Sequence, residues 1–376
     1  MALEHFVGSH GKKLRMGYTT GTCAALAAKG AVTFLLTGTW PETVKLRTPK
    51  GIVVEVPLEE CRAIDTSASC AVRKDGGDDI DKTHGALIVS TVELVEEPGV
   101  HIEGGFGVGR VTKPGLDQPV GNAAINHVPR EMITAAVEDV CLVCDYQGGV
   151  SVTVSVPEGE EIAGHTFNPH LGIEGGISIL GTSGIVEPMS MQALIDTLCV
   201  EIRQKEAEGN KRLILTPGNY GMDYMKEQGL LDMGVPHVKI SNFVGDALDA
   251  CTDQLEDVLM VGHVGKFAKL AAGIMNTHSR YADCRTDVFV THAAINGAGT
   301  EVCQRLKACA TTDACLDVLK EDPQLYEAAI RSLLQDIQKY VSRRADGKFN
   351  IGVLLFSCVH GELGRTEEAK EILARW

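Results

Sequence analysis

The 376-residue chain has no excess of positive charge: 35 Lys and Arg face 50 Asp and Glu, a formal charge of −15. Binding phosphate backbones needs Lys and Arg gathered on one face, so no nucleic acid is expected as the main partner. A local basic pocket still leaves room for a small anionic ligand. No N-terminal segment joins basic residues to a long apolar run and a small-residue cleavage site, as a secretory signal would. No apolar stretch is expected to reach transmembrane length, so no membrane association and a cytoplasmic location are expected. Twelve cysteines without such a signal point to reducing surroundings rather than a disulfide framework. Cys141 and Cys144 form one CxxC, yet no second pair follows at zinc-like spacing. The remaining cysteines read as buried small hydrophobes, and no protein metal site is expected. Tandem repeats and low-complexity tracts are absent as well.

What the chain does carry begins with KKLRMGYTTGTCAALAAKGAVTFLL, residues 12–36. A Gly/Thr-rich turn, with Thr19, Thr20, Gly21 and Thr22, runs into an Ala-rich segment that reads as a helix from Cys23 to Leu36. Helix starts offer unpaired N–H groups and the positive end of a dipole. With Lys12, Lys13 and Arg15 upstream, the segment reads either as a seat for an anion or as a capped core helix.

Two rhythms divide the sequence. Up to about residue 165, Val44 to Leu46 and Ile52 to Val56 flank TPKG as a hairpin. Ala86 to Leu94 and Val150 to Val156 alternate as strands, and Pro129 to Val143 reads as a helix. This predicts an N-terminal α+β domain over 1–165. From about residue 175, GGISILGTSG, KRLILTPGNYG, HVKISNFVGDAL, DVLMVGHVGKFAKLAAGIM and FNIGVLLFSCVHGELGRTEEAKEIL each read as strand, Gly-bearing turn and helix. One helix is expected from Met189 to Lys205 and another after Asp223. That rhythm predicts a doubly wound α/β domain over 166–376, with ligands at the turns beyond the C-terminal strand ends.

Those turns hold Gly181, Thr182, Ser183 and Gly184; Gly218, Asn219 and Gly221; Asn242, Gly245 and Asp246; and Gly262, His263, Gly265 and Lys266. Plain connections also use glycine, but four polar turns at equivalent places point to a nucleotide-like ligand. GTSGIVEP is not the dinucleotide fingerprint, and GHVGKF only superficially resembles a phosphate-cradling loop. A ligand without phosphates, such as S-adenosylmethionine, suits such short turns, with Glu187 or Asp246 as ribose or amine partners. In the first half, VRKDGGDDIDKTHG places Lys74, Asp75, Asp78, Asp79, Asp81 and His84 in a Gly-broken loop. It reads as a solvated acidic turn, and it lacks the Glu of a calcium loop. GGFGVGRVTKPG sets glycines before Arg110 and Lys113, which suits carboxylate binding or a surface loop alike.

Taken together, GYTTGTCAALAAKGA, VRKDGGDDIDKTHG, GVGRVTKPGL with NAAIN, FNPHLGIEGGISILGTSGIVEPMS, LTPGNYG, ISNFVGDAL and GHVGKFAKLAAGIMNTHS resemble the cobalt-precorrin-5B (carbon 1) methyltransferase family of anaerobic cobalamin biosynthesis. The resemblance spans nearly the whole chain. It implies a Rossmann-like second domain and methyl transfer from S-adenosylmethionine to carbon 1 of a cobalt-containing tetrapyrrole. It also implies a cobalt carried by the substrate. Aligning carbon, methyl and sulfur is then the main task, with no covalent nucleophile. On this reading the cofactor sits at the turns after Leu180, Thr216 and Ile240. The tetrapyrrole, expected across the cleft between domains, meets Thr19, Thr20, Gly21, Thr22, Lys74, Asp78, Asp79, Arg110 and Lys113. His263 and His84 are the candidate general bases. A nicotinamide-dependent oxidoreductase and a non-catalytic corrinoid carrier are the alternatives, and assembly into a homo-oligomer is left open.

Overall fold

The computed structural model describes residues 3–9 and 12–376. Two compact units divide them, Met1–Met191 and Gln192–Trp376.

The first unit is built on the Ala-rich helix α1 (Thr20–Thr37), capped by the Thr19 hydroxyl at its start and by left-handed Gly38 at its end. A hairpin, β1 (Thr43–Arg47) and β2 (Val53–Pro57), follows as expected. A five-stranded sheet has the order β3 (Glu59–Ile64), β4 (Ser67–Arg73), β5 (Leu87–Val95), β7 (Gly149–Ser155), β6 (Val100–Gly104), antiparallel except for the β7–β6 pair. Alternation along β5 and β7 buries Ile88, Ser90 and Val92 and Val150, Val152 and Val154 on one face. The small residues of α1 let it approach that sheet closely. Cys70 Sγ and Ser90 Oγ donate to the α1 carbonyls of Ala27 and Ala24, and a Cβ on Gly30 would lie 2.5 Å from Leu58. Helix α2 (His127–Val143) packs beside α1. Against expectation, α1 is long and apolar enough to cross a membrane, but 67% of it is buried inside the protein, where it serves as the core helix.

The expected boundary at 165/166 is corrected to 191/192. Backbone pairing explains the shift. Gly107–Val108 pairs with Gly176–Ile177, Arg110–Val111 with Ile173–Glu174, and Gly17–Tyr18 with Ile185–Val186. Residues 173–186 are thereby stitched into the first unit, and GGISIL is not a strand of the second sheet.

In the second unit, α3 (Met191–Ala207) precedes β8 (Arg212–Thr216), α4 (Asn219–Glu227), β9 (His237–Lys239), α5 (Val244–Ala250) and β10 (Asp257–His263). Helix α4 begins at Asn219, before Asp223. A short helix, α6 (Val264–Phe267), leads into a tight helical turn, Ala268–Ala272. Four helices follow that the strand–turn–helix rhythm did not announce: α7 (Arg285–Ile295), α8 (Thr300–Ala308), α9 (Thr312–Lys320) and α10 (Pro323–Ala345). The chain closes with β11 (Asn350–Ser357), β12 (Gly361–Arg365) and α11 (Glu367–Arg375). The sheet order is β9-β8-β10-β11-β12; the first four strands are parallel and β12 is an antiparallel edge. The almost fully buried runs Leu213–Thr216, Val258–Gly262 and Ile351–Ser357 mark strands covered on both faces.

Candidate functional site

From β8 the chain moves to β9 on one side and then returns to β10 on the other. Such a reversal leaves a crevice beyond the C-terminal strand ends. Three turns meet there. After β8 come Pro217, Gly218 and Asn219, whose side-chain oxygen accepts from Lys239 at 3.3 Å. A Cβ on Gly221 would lie 1.8 Å from Thr216 Oγ1, so this glycine serves the close approach of α4 to β8. Thr216 Oγ1 itself is buried without a hydrogen-bond partner. After β9, Ser241 takes a left-handed backbone (φ 50°), and Asn242 accepts from Thr277 Oγ1 at 3.1 Å. Gly245 donates its N–H to Met275 at 3.1 Å. Asp246 is half-buried, and its carboxylate makes no hydrogen bond or ion pair among the described residues, although Arg344 feels its charge. After β10, Lys266 donates to the carbonyls of Ser241 (3.3 Å) and Pro217 (3.5 Å), tying the first two turns to the third.

His263, at the end of β10, lies between Tyr220 and Phe356, with ring centroids 6.1 and 5.6 Å away. Its Nδ1 accepts the N–H of Gly265 at 3.0 Å. A backbone N–H can only donate, so the neutral ring keeps its proton on Nε2. Burial lowers the His263 pKa, outweighing the opposite pull of Asp313. The ring therefore offers a hydrogen-bond donor at the rim. His84 is held the same way, its Nδ1 accepting from Gly76 at 3.0 Å. Neither candidate base presents a free lone pair at Nε2.

The turn after Leu180 lies in the first unit, which corrects the grouping of Gly181, Thr182, Ser183, Gly184 and Glu187 with the other turns. It wraps the start of α1. Thr19 and Gly21 donate their N–H groups to the carbonyls of Gly184 and Leu180, and the Thr22 hydroxyl donates to Gly184 at 2.6 Å. The Thr20 hydroxyl accepts from Leu180 N–H at 2.9 Å. A Cβ on Gly181 would lie within 2.5 Å of Thr19 side-chain atoms. Ser183 Oγ donates to Ile185, and Glu187 pairs with Lys50. Thr19, Thr20 and Thr22 are buried, so this helix start is filled by protein rather than open to an anion. Thr182 remains exposed.

The acidic loop is likewise turned inward. Arg15 pairs with Asp75, and its N–H donates to Asp78 at 2.6 Å. The side chain of Lys12 lies outside the described residues. Lys74, 3% exposed, pairs with Asp81, and Asp79 accepts from Met189 N–H at 3.2 Å. The Arg15 hydrogen bond holds the Asp75 carboxyl below its ordinary range. Burial pushes Asp81 up, but Lys74 and Thr83 more than offset it. His84 lines an open groove of about 530 Å³ with Lys82, Glu158, Glu161 and His165. Arg110 pairs with Glu103 at 3.0 Å. Lys113 has no ion pair among the described residues, and its stem covers Gly172. Cys141 and Cys144 are half-buried against the core of the first unit. No group of three or more His, Cys, Asp or Glu able to hold a metal occurs among the described residues.

Sequence comparison gives this geometry its context. A family model described as CbiD matches residues 7–188, and one described as the CbiD C-terminal domain matches residues 276–367. A protein of Ruminiclostridium cellulolyticum named cobalt-precorrin-5B C(1)-methyltransferase is 46% identical over 364 residues, 96% of this chain and 94% of its own. The chain belongs to the CbiD family.

A second CbiD-family relative of the same name, from Thermoanaerobacter sp., is 41% identical over 98% of this chain and 100% of its own. A crystal structure of a cobalamin biosynthesis protein (CbiD) from Archaeoglobus fulgidus is 30% identical, covers 71% of this chain and 83% of that one, and has a TM-score of 0.38. The rim turns at Gly218, Asn242 and Lys266 fall between the two stretches matched by the CbiD models. Motif reading found their glycines but passed over Lys266 and Ser241 as partners. The signal that finds them is the pairing of a cation after one strand with carbonyls after two others, which only the folded sheet displays.

Proposed function

We propose that this chain transfers a methyl group from S-adenosylmethionine to carbon 1 of cobalt-precorrin-5B, giving cobalt-precorrin-6A. The observation that carries this reading is near-full-length identity of 46% to a relative of that name. We read the second unit as Rossmann-like, a reading supported by its parallel β9-β8-β10-β11 order with helical crossovers.

The rim residues suit such a donor. Asp246, a carboxylate without a hydrogen-bond partner among the described residues, suits a ribose or an amine, His263 Nε2–H and Lys266 are donors, and Tyr220 offers an exposed ring. When bound, S-adenosylmethionine supplies a methyl group activated on a sulfonium. The protein's part is to fix the donor's adenosyl and amino-acid ends so that the methyl points at the acceptor carbon. In the first unit, Lys113 and the partly engaged Arg110 are the cations placed to hold acetate or propionate arms of the polyacid substrate. The cobalt belongs to the substrate, and no step here asks the protein for a metal ligand.

The test is anaerobic incubation with cobalt-precorrin-5B and methyl-labelled S-adenosylmethionine. One labelled methyl on the ring, with stoichiometric S-adenosylhomocysteine, is expected. An unmodified ring would overturn the proposal.

A further inference from the structure

The rim of the second unit holds two ammonium groups whose charge no carboxylate cancels. Lys266 is half-buried and Lys269, one turn on, is 3% exposed. Lys269 donates to the Thr277 carbonyl at 2.9 Å, and Lys266 to those of Ser241 and Pro217. Among the described residues neither lies within ion-pair distance of an acid, although the chain carries 50 Asp and Glu. Asp283 feels Lys269, but its carboxylate is engaged by Arg285 at 2.7 Å.

Desolvated charges are costly unless paired, and acids abound elsewhere in the sequence. Burial, then Lys269, pulls the Lys266 pKa below the ordinary lysine value, as expected where cations gather without an anion. An ammonium has three N–H donors, and the two turn carbonyls use two of them. Those carbonyls flank the crevice at the chain reversal, and one belongs to Ser241, held in a left-handed backbone that non-glycine residues seldom adopt.

We propose that Lys266 is a carboxylate-binding residue of the rim: its third N–H takes an oxygen of an anionic ligand in the crevice, with Lys269 adding positive potential behind it. This inference rests on the methyltransferase reading, which offers two sources of carboxylate. One is the amino-acid end of the methyl donor; the other is an acetate or propionate arm of the tetrapyrrole.

Calorimetric titration of the full chain separates them. One ligand pair is S-adenosylhomocysteine and its analogue lacking only the carboxylate. The other is cobyrinic acid, a corrinoid polyacid, and cobinamide, whose arms are amides. Wild type is expected to prefer the acid of at least one pair by about tenfold to a hundredfold, the range of a charge-assisted hydrogen bond. K266M should cut that preference by about tenfold or more in one pair, which identifies the source, and K266R should keep it. K266Q, retaining N–H donors for the two carbonyls, is the second neutral variant should K266M fail to fold. Because each protein is read as a ratio of two ligands, a general loss of folded protein moves both members equally. A neutral variant whose preference is undiminished in both pairs, or a wild type with none, overturns the inference alone. A wild type that binds neither S-adenosylhomocysteine nor cobyrinic acid overturns the methyltransferase reading and the inference with it.

Discussion

At His84 and His263, a backbone N–H decides the chemistry of a ring that a sequence presents only as a possible base. Gly76 and Gly265 each donate to Nδ1, so Nε2 keeps its hydrogen. To act as a base through Nε2, either ring would first surrender that bond. The same scale governs Gly221. Its missing side chain makes room for Thr216, whose Oγ1 would sit 1.8 Å from an added Cβ. Gly221→Ala is expected to cost about 1–3 kcal/mol through overpacking, read as a lower urea midpoint at unchanged slope. Because the Thr216 hydroxyl has no partner, adding Thr216→Ala should recover most of the loss. An undiminished loss in the double variant would show that α4 meets something other than this side chain.

At the scale of the element, the loop joining β4 to β5 shows how far motif reading reached. A Gly-broken run of acids was legible, and a solvated turn was the natural expectation. Its cations were the missing part, because Arg15 lies 60 residues from Asp75 and the Lys74 side chain is swallowed by the fold. The start of α1 teaches the same lesson. The cap was readable from the Thr-rich turn, but not the 180–184 turn that takes up the donors of Thr19 and Thr22 from about 160 residues away. Asp81→Ala would leave the Lys74 ammonium buried and alone, and the expected cost is about 3 kcal/mol. Lys74→Met in that background should restore much of it, since an apolar side chain needs no partner. Chemical denaturation checks both, and a neutral Asp81→Ala would mean that water reaches Lys74.

Across the whole molecule, the two rhythms of the sequence correspond to two units; strand reading located β8, β10 and β11 because those runs are largely apolar, and β9, His237–Lys239, by the turn and helix that follow it. The boundary was missed because GGISIL looks like one more such strand, and only its pairing with residues 107–108 assigns it to the first unit. Helices α7 to α10 had no strand rhythm to announce them. The units also differ in how they titrate. In the second, burial lowers the pKa of His237, His263 and His292. A lowered histidine favours the neutral folded form, so its stabilisation is complete above the unfolded value, about 6.5, and is lost as pH falls below it because the unfolded chain takes up more protons. Glu201 on α3, raised by burial, opposes this only nearer the carboxylate range. Trp376, which donates to Asp257 at 3.2 Å, reports on the second unit. Replacing Trp40, stacked on Phe34 in the first unit, by Phe leaves that reporter alone. The urea midpoint seen by Trp376 fluorescence should fall between pH 7.5 and 5.5, and His292→Gln, which removes a ring bonded to Ser332 at 2.8 Å, should flatten the fall. A midpoint constant across that interval would mean that the three rings protonate as readily in the folded unit as in the unfolded chain.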